Sequence, residues 1–93
     1  MTAPQTATTL SIHPRVRFRR VLDEAVVIHQ ERAEALVLNE TAARFLELCN
    51  GESNFEAIVE QMTAEYDTDA ATLEEDITAF ARELLQEGII EPA

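Results

Sequence analysis

The chain has 93 residues, 46% of them apolar and 27% charged, which describes one small globular domain with no room for a second. Eighteen Asp and Glu stand against seven arginines for a net charge of -11, and four of those arginines fall before residue 21, leaving the rest of the chain strongly acidic. Such a body repels nucleic-acid phosphate, the apolar runs are far short of the roughly 20 residues of a membrane span, and the single Cys49 excludes an internal disulfide or a paired-cysteine motif.

Residues 1–12 are rich in Thr and Ala, carry no charged side chain and show no period, so a disordered tail is expected there, with the ordered domain at 13–93. They also lack the basic start and apolar stretch of an export signal, and a cytoplasmic location is expected. From Val16 the pattern is two-fold: Val16 and Phe18 point one way, Arg15, Arg17 and Arg19 the other, as in a half-buried strand. Leu22, Asp23 and Glu24 supply a turn, and Val26, Val27 and Ile28 lie in a second strand, Ala25 to His29. Gln30 to Ala33 connect to a third, Glu34 to Leu38. Short links between three strands predict an antiparallel meander.

The period then lengthens to 3.6. Asn39 caps a helix through Cys49 with Ala42, Phe45, Leu46 and Cys49 on one face, and Asn50-Gly51 ends it. Ser53-Asn54-Phe55-Glu56 reads as a capping box opening a second helix, which buries Phe55, Ile58, Val59 and Met62 and stops before Tyr66. A third helix runs from Asp69 or Ala70 to about Glu87, with Leu73, Ile77, Phe80, Leu84 and Leu85 inward. Gly88 ends it, and Ile89 and Ile90 fold back onto the core. Three strands followed by three helices give an α+β, winged helix-turn-helix-like fold.

Chemistry is scarce in this sequence. His13 and His29 lie far apart, with no partner at metal-ligand spacing, and read as surface or turn residues. Cys49 reads as a small core residue. Ser11 lies in the tail and Ser53 serves as a cap, so no serine nucleophile is available. Gly51 and Gly88 both end helices, so no phosphate-binding loop exists. No enzymatic activity, metal or cofactor is expected.

The sheet edges are more informative. Arg15, Arg17, Arg19 and Arg20 guard the first strand, whereas the third carries one acid and then four apolar residues. Such an edge is either covered by the protein itself or kept for a peptide that adds a strand. Leu36 and Leu38 would face the core, Ala35 and Val37 the other side. Packed beside helix three, the edge would form a groove lined by Ile77, Ala81 and Leu85 and fringed by Asp76, Thr78 and Arg82; alternatively Ile77 and Leu85 are ordinary core and Ala81 only a helix former. The arginine cluster has three readings: a strand kept soluble by charge, a patch for an acidic partner, or a counterpart to the chain's own acidic helices.

The run Leu38-Asn39-Glu40-Thr41-Ala42-Ala43, with Phe45-Leu46-Glu47-Leu48 and Asn50-Gly51 after it, resembles the PqqD family of pyrroloquinoline quinone biosynthesis. Similarity continues through Phe55-Glu56-Ala57-Ile58-Val59, Glu65-Tyr66-Asp67, Asp76-Ile77, Phe80, Leu84-Leu85 and Gly88-Ile89-Ile90, covering about residues 14–91. The resemblance implies a peptide chaperone, or recognition element, for ribosomally made precursor peptides. It would bind the leader as a strand added to strand three against helix three and deliver it to a radical SAM maturase, whose iron-sulfur clusters belong to that partner. Carried over, the peptide-binding set is Glu34, Ala35, Leu36, Val37, Leu38, Ile77, Thr78, Ala81, Arg82 and Leu85.

Two other readings compete with this adaptor. A winged-helix DNA-binding regulator would read DNA through helix three, where Glu74, Glu75, Asp76, Glu83 and Glu87 oppose phosphate. A structural interaction module would take no peptide. The open edge also permits a homodimer through exchanged strands.

Overall fold

The computed structural model describes residues 8–93. Its elements run β1 (Thr9–Ile12), β2 (Val16–Val21), β3 (Glu24–His29), β4 (Glu34–Leu38), α1 (Glu40–Leu48), β5 (Asn50–Asn54), α2 (Phe55–Glu65), α3 (Ala70–Gln86) and β6 (Ile90–Pro92). The expected meander is present as β2-β3-β4, all antiparallel, with Arg17 and Arg19 outward and Val16 and Phe18 inward, while Arg20 falls on the inner side and reaches Glu47. The expected tail is corrected in its last four residues, which form β1; residues 1–7 lie outside the described part. β1 sits between β5 and β6 in a second antiparallel sheet, and Leu10 is fully buried. Four residues lacking a visible period thus become a central strand because one leucine meets the core.

Three Asx caps open the helices. The side chains of Asn39, Asn54 and Asp69 accept from the amides of Ala42, Ala57 and Thr72 at 2.9, 2.8 and 3.0 Å. The second corrects the capping box by one residue: Asn54 holds the cap, and Ser53 belongs to β5, its amide donating to Asn50 Oδ1. Asn50-Gly51, expected only to stop α1, also begins that strand. α3 ends as expected at Gly88, whose φ of +72° places it in the left-handed region. Gly88 N–H donates to Leu85 C=O and Ile89 N–H to Leu84 C=O, which is a Schellman closure. That turn sends Ile89 and Ile90 into the core and β6 alongside β1.

Phe45, Leu46, Ile58, Met62, Ile77 and Leu84, with Val27 from β3 and Leu10 from β1, make one core cluster. The Phe45 and Phe55 rings meet edge-on at 6.4 Å. No helix among the described residues is long and apolar enough to cross a membrane.

Candidate functional site

Along each strand of the meander, hydrogen bonding alternates between the two neighbours. Val21 and Glu24 close the two-residue Leu22-Asp23 turn, and at the far end the Gln30 amide donates to the Arg15 carbonyl. These two ends set the phase. Glu24, Val26 and Ile28 bond towards β2, so Ala25, Val27 and His29 bond towards β4. Their partners Leu38, Leu36 and Glu34 are thereby occupied, and the N–H and C=O groups of Ala35 and Val37 point off the free side of β4. β4 pairs only with β3 among the described residues, so this rim is open.

The side chains of β4 follow the expected split. Leu36 and Leu38 pack half-buried against the core, while Glu34, Ala35 and Val37 are exposed, Val37 by 65%. On α3 the structure corrects two assignments. Ile77 and Ala81 are fully buried and offer a ligand no surface, because they fill the centre of the stripe packed on the core. Thr78 and Leu85 are half-buried and Arg82 is exposed. Thr78 and Arg82 share a shallow depression of about 500 Å³ on the helix flank with Glu74 and Glu75.

Two placements escaped the sequence reading. Phe80 is half-buried at the margin of the α3 stripe opposite Leu85, and thus an accessible aromatic rather than a purely inward one. Arg32, in the β3–β4 turn, lies over Gly88, its Nη2 only 2.9 Å from where a Cβ would stand. The guanidinium of a residue in this turn therefore covers the C-terminal end of α3. Nothing in the sequence separated Phe80, flanked by Ala79 and Ala81, from the inward residues of α3, and the Arg32 contact had no sequence signal.

The histidines correct a further expectation. His29 is 3% exposed, and its ring lies 4.9 Å from that of His13, with Glu31 Oε1 3.8 Å from His13 Nε2. One donor atom from each of the three lies within 4.8 Å of the others, a spacing that invites a metal. The hydrogen bonds argue otherwise. Both Nδ1 atoms accept backbone amides, from Arg15 at 3.0 Å and Glu31 at 3.3 Å, which leaves the proton of each neutral ring on Nε2. A histidine that ligates through Nε2 holds the opposite pattern, with Nδ1–H donating outward, and here Nδ1 is already engaged by a backbone amide. The cluster instead ties the β1–β2 link to the β3–β4 turn.

Cys49 is buried and its thiol donates to the Phe45 carbonyl at 3.4 Å; burial pushes its pKa up to about 12, the reverse of an activated nucleophile. The strongest ion pair is also structural. Arg44 grips Glu65 with two hydrogen bonds of 2.8 and 2.7 Å, linking α1 to α2 and pulling the Glu65 carboxyl down to about 2. α3 exposes Glu74, Glu75, Asp76 and Glu83 around the lone Arg82, a surface that repels a duplex.

Comparison with known proteins identifies the family. Residues 24–90 match the family model described as coenzyme PQQ synthesis protein D (PqqD). A PqqA binding protein from Methylococcus capsulatus is 33% identical over 87 residues, 94% of this chain and 89% of that protein. Among solved structures, TbiB1 in complex with the TbiA(beta) leader peptide superposes with a TM-score of 0.77 at 28% identity, covering 87% of this chain and 94% of that one. The solution structure of the PqqD truncation of Methylobacterium extorquens PqqCD, a stand-alone recognition element for ribosomally synthesised and modified peptides, gives 0.77 at 25% identity, covering 97% and 96%. The chain belongs to the PqqD family.

Proposed function

We propose that this chain is a non-catalytic adaptor that takes the leader of a ribosomally made precursor peptide onto β4 and presents it to a modifying enzyme, a radical SAM protein of pyrroloquinoline quinone or related biosynthesis. The observation that carries the reading is the unpaired rim of β4, where Ala35 and Val37 aim four main-chain groups outward. An extended peptide satisfies those groups, and its alternate side chains meet the half-buried Leu36 and Leu38 and the accessible flank of α3, to which Thr78, Arg82 and Leu85 belong. Affinity then comes from backbone pairing and selection from the side chains. The relatives named as binding PqqA or a leader peptide support the same role.

Titrating isotope-labelled protein with candidate leader peptides tests this. Amides 34–38 and those of α3 should shift together; shifts confined to other elements, or a rim occupied by a second copy of the chain at every concentration, would remove the mechanism.

A further inference from the structure

Peptide capture leaves one surface of the domain unused. The outward side chains of the meander form two rows across three strands, Arg17-Ile28-Ala35 and Arg19-Val26-Val37. Val26, Ile28 and Val37 are 36%, 46% and 65% exposed, and a depression of about 320 Å³ opens among Arg17, Arg19, Val26 and Ile28. An antiparallel sheet with one face on the core usually turns polar residues to water on the other. This one shows β-branched residues bordered by cations on a chain of net charge -11.

The cations matter because they are not spent internally. Arg20 reaches Glu47 at 4.0 Å and so belongs to the chain's own charge network. Arg17 donates only to the Pro14 and Val16 carbonyls, and neither Arg17 nor Arg19 meets a carboxylate among the described residues. We propose that this outer face docks the enzyme that receives the peptide, through a partner surface with an apolar centre and carboxylates at its rim, and that the captured leader completes the docking face.

The second half follows from strand geometry and rests on the proposed function. A strand added to β4 lies beside Ala35 and Val37, so every other side chain of the leader emerges on this face and widens the strip from three strands to four. Three strands of five residues, spaced ~4.8 Å apart with ~3.4 Å per residue, present on the order of 250 Å². A standard interface uses roughly 800 Å² per partner. The empty adaptor therefore holds the enzyme weakly, the loaded adaptor more tightly, and by linkage the enzyme tightens the leader by the same factor.

The test uses the full chain, a leader peptide that it binds and the radical SAM enzyme that modifies that peptide, with Arg17→Glu/Arg19→Glu and Val26→Thr/Ile28→Thr variants. Leader affinity is read by fluorescence anisotropy, enzyme affinity by interferometry with and without leader, and self-association by sedimentation. The wild type should bind the enzyme several-fold tighter when loaded. Both variants should keep leader affinity within about twofold and lose about tenfold or more for the enzyme, the charge-reversed one with the weaker salt dependence. Unchanged enzyme affinity in both variants, a parallel loss of leader affinity, or an effect only on self-association would overturn the docking face. A wild type that binds leader but not the enzyme also overturns it, whereas one that binds no leader overturns the proposed function instead.

Discussion

Replacing Val37 by proline isolates the rim from the rest of the fold. The Val37 amide points off the sheet, so the substitution breaks no bond to β3, and a side chain 65% exposed gives up little packing. What is lost is one donor to the incoming peptide, a net contribution of about 1 kcal/mol, together with the cost of leaving the opposing peptide carbonyl without a partner. Taken together these come to about 2 kcal/mol, or roughly a 30-fold rise in Kd. Leu36→Pro, one residue away, is the matched control: its amide serves β3, so that variant should lose stability by ~3 kcal/mol or more. Calorimetric titration with leader peptide and thermal unfolding of both variants read the two effects separately. A folded Val37→Pro protein that binds within twofold of the wild type would refute the strand-addition argument.

Leu10→Ala should cost about 3 kcal/mol, because the side chain is fully buried, and lower Tm by more than ~12 °C in a domain of this size; a change under 3 °C would show β1 to be dispensable. The Arg44 hydrogen bonds lower the Glu65 carboxyl from 4.5 to about 2, so their contribution is complete above the unfolded value and disappears as pH falls from about 5 towards 2. The pair is largely solvated, which limits the effect to ~1 kcal/mol, and Glu65→Gln should flatten that part of the stability profile in denaturant titrations from pH 6 to 2. Cys49 should resist a thiol reagent at pH 8 in the folded protein and react at the rate of global opening; prompt labelling of the native state would contradict its burial. Gly88→Ala should destabilise by about 1 kcal/mol, since φ of +72° disfavours any Cβ and Arg32 lies directly above, as chemical denaturation would report.

The meander was readable because Val16 and Phe18 keep a two-residue period between arginines and because Val26-Val27-Ile28 and Ala35-Leu36-Val37-Leu38 are short apolar runs separated by polar links, and the helices because their caps and apolar stripes agree. β1 and β5 were not. Thr9-Leu10-Ser11-Ile12 is too short to show a period, and Asn50 to Asn54 is turn-forming in composition; each becomes a strand only by pairing with a segment distant in sequence. The same limit governs the site. The bare edge at 34–38 was legible from its composition, but the direction in which Ala35 and Val37 point depends on the length of the Leu22-Asp23 turn. Ile77 and Ala81 share the spacing of Leu85, and periodicity alone does not separate the centre of a buried stripe from its margin. His13 and His29, sixteen positions apart, meet only because β2 and β3 return antiparallel.

Residue-resolved hydrogen exchange with and without leader peptide addresses the central claim most directly. In the free protein, the amides of Leu36 and Leu38 should already exchange slowly because they serve β3, while those of Ala35 and Val37 exchange quickly. Saturating leader should slow Ala35 and Val37 in particular. Binding that leaves these two amides fast, with protection gained on another element, would contradict capture by strand addition.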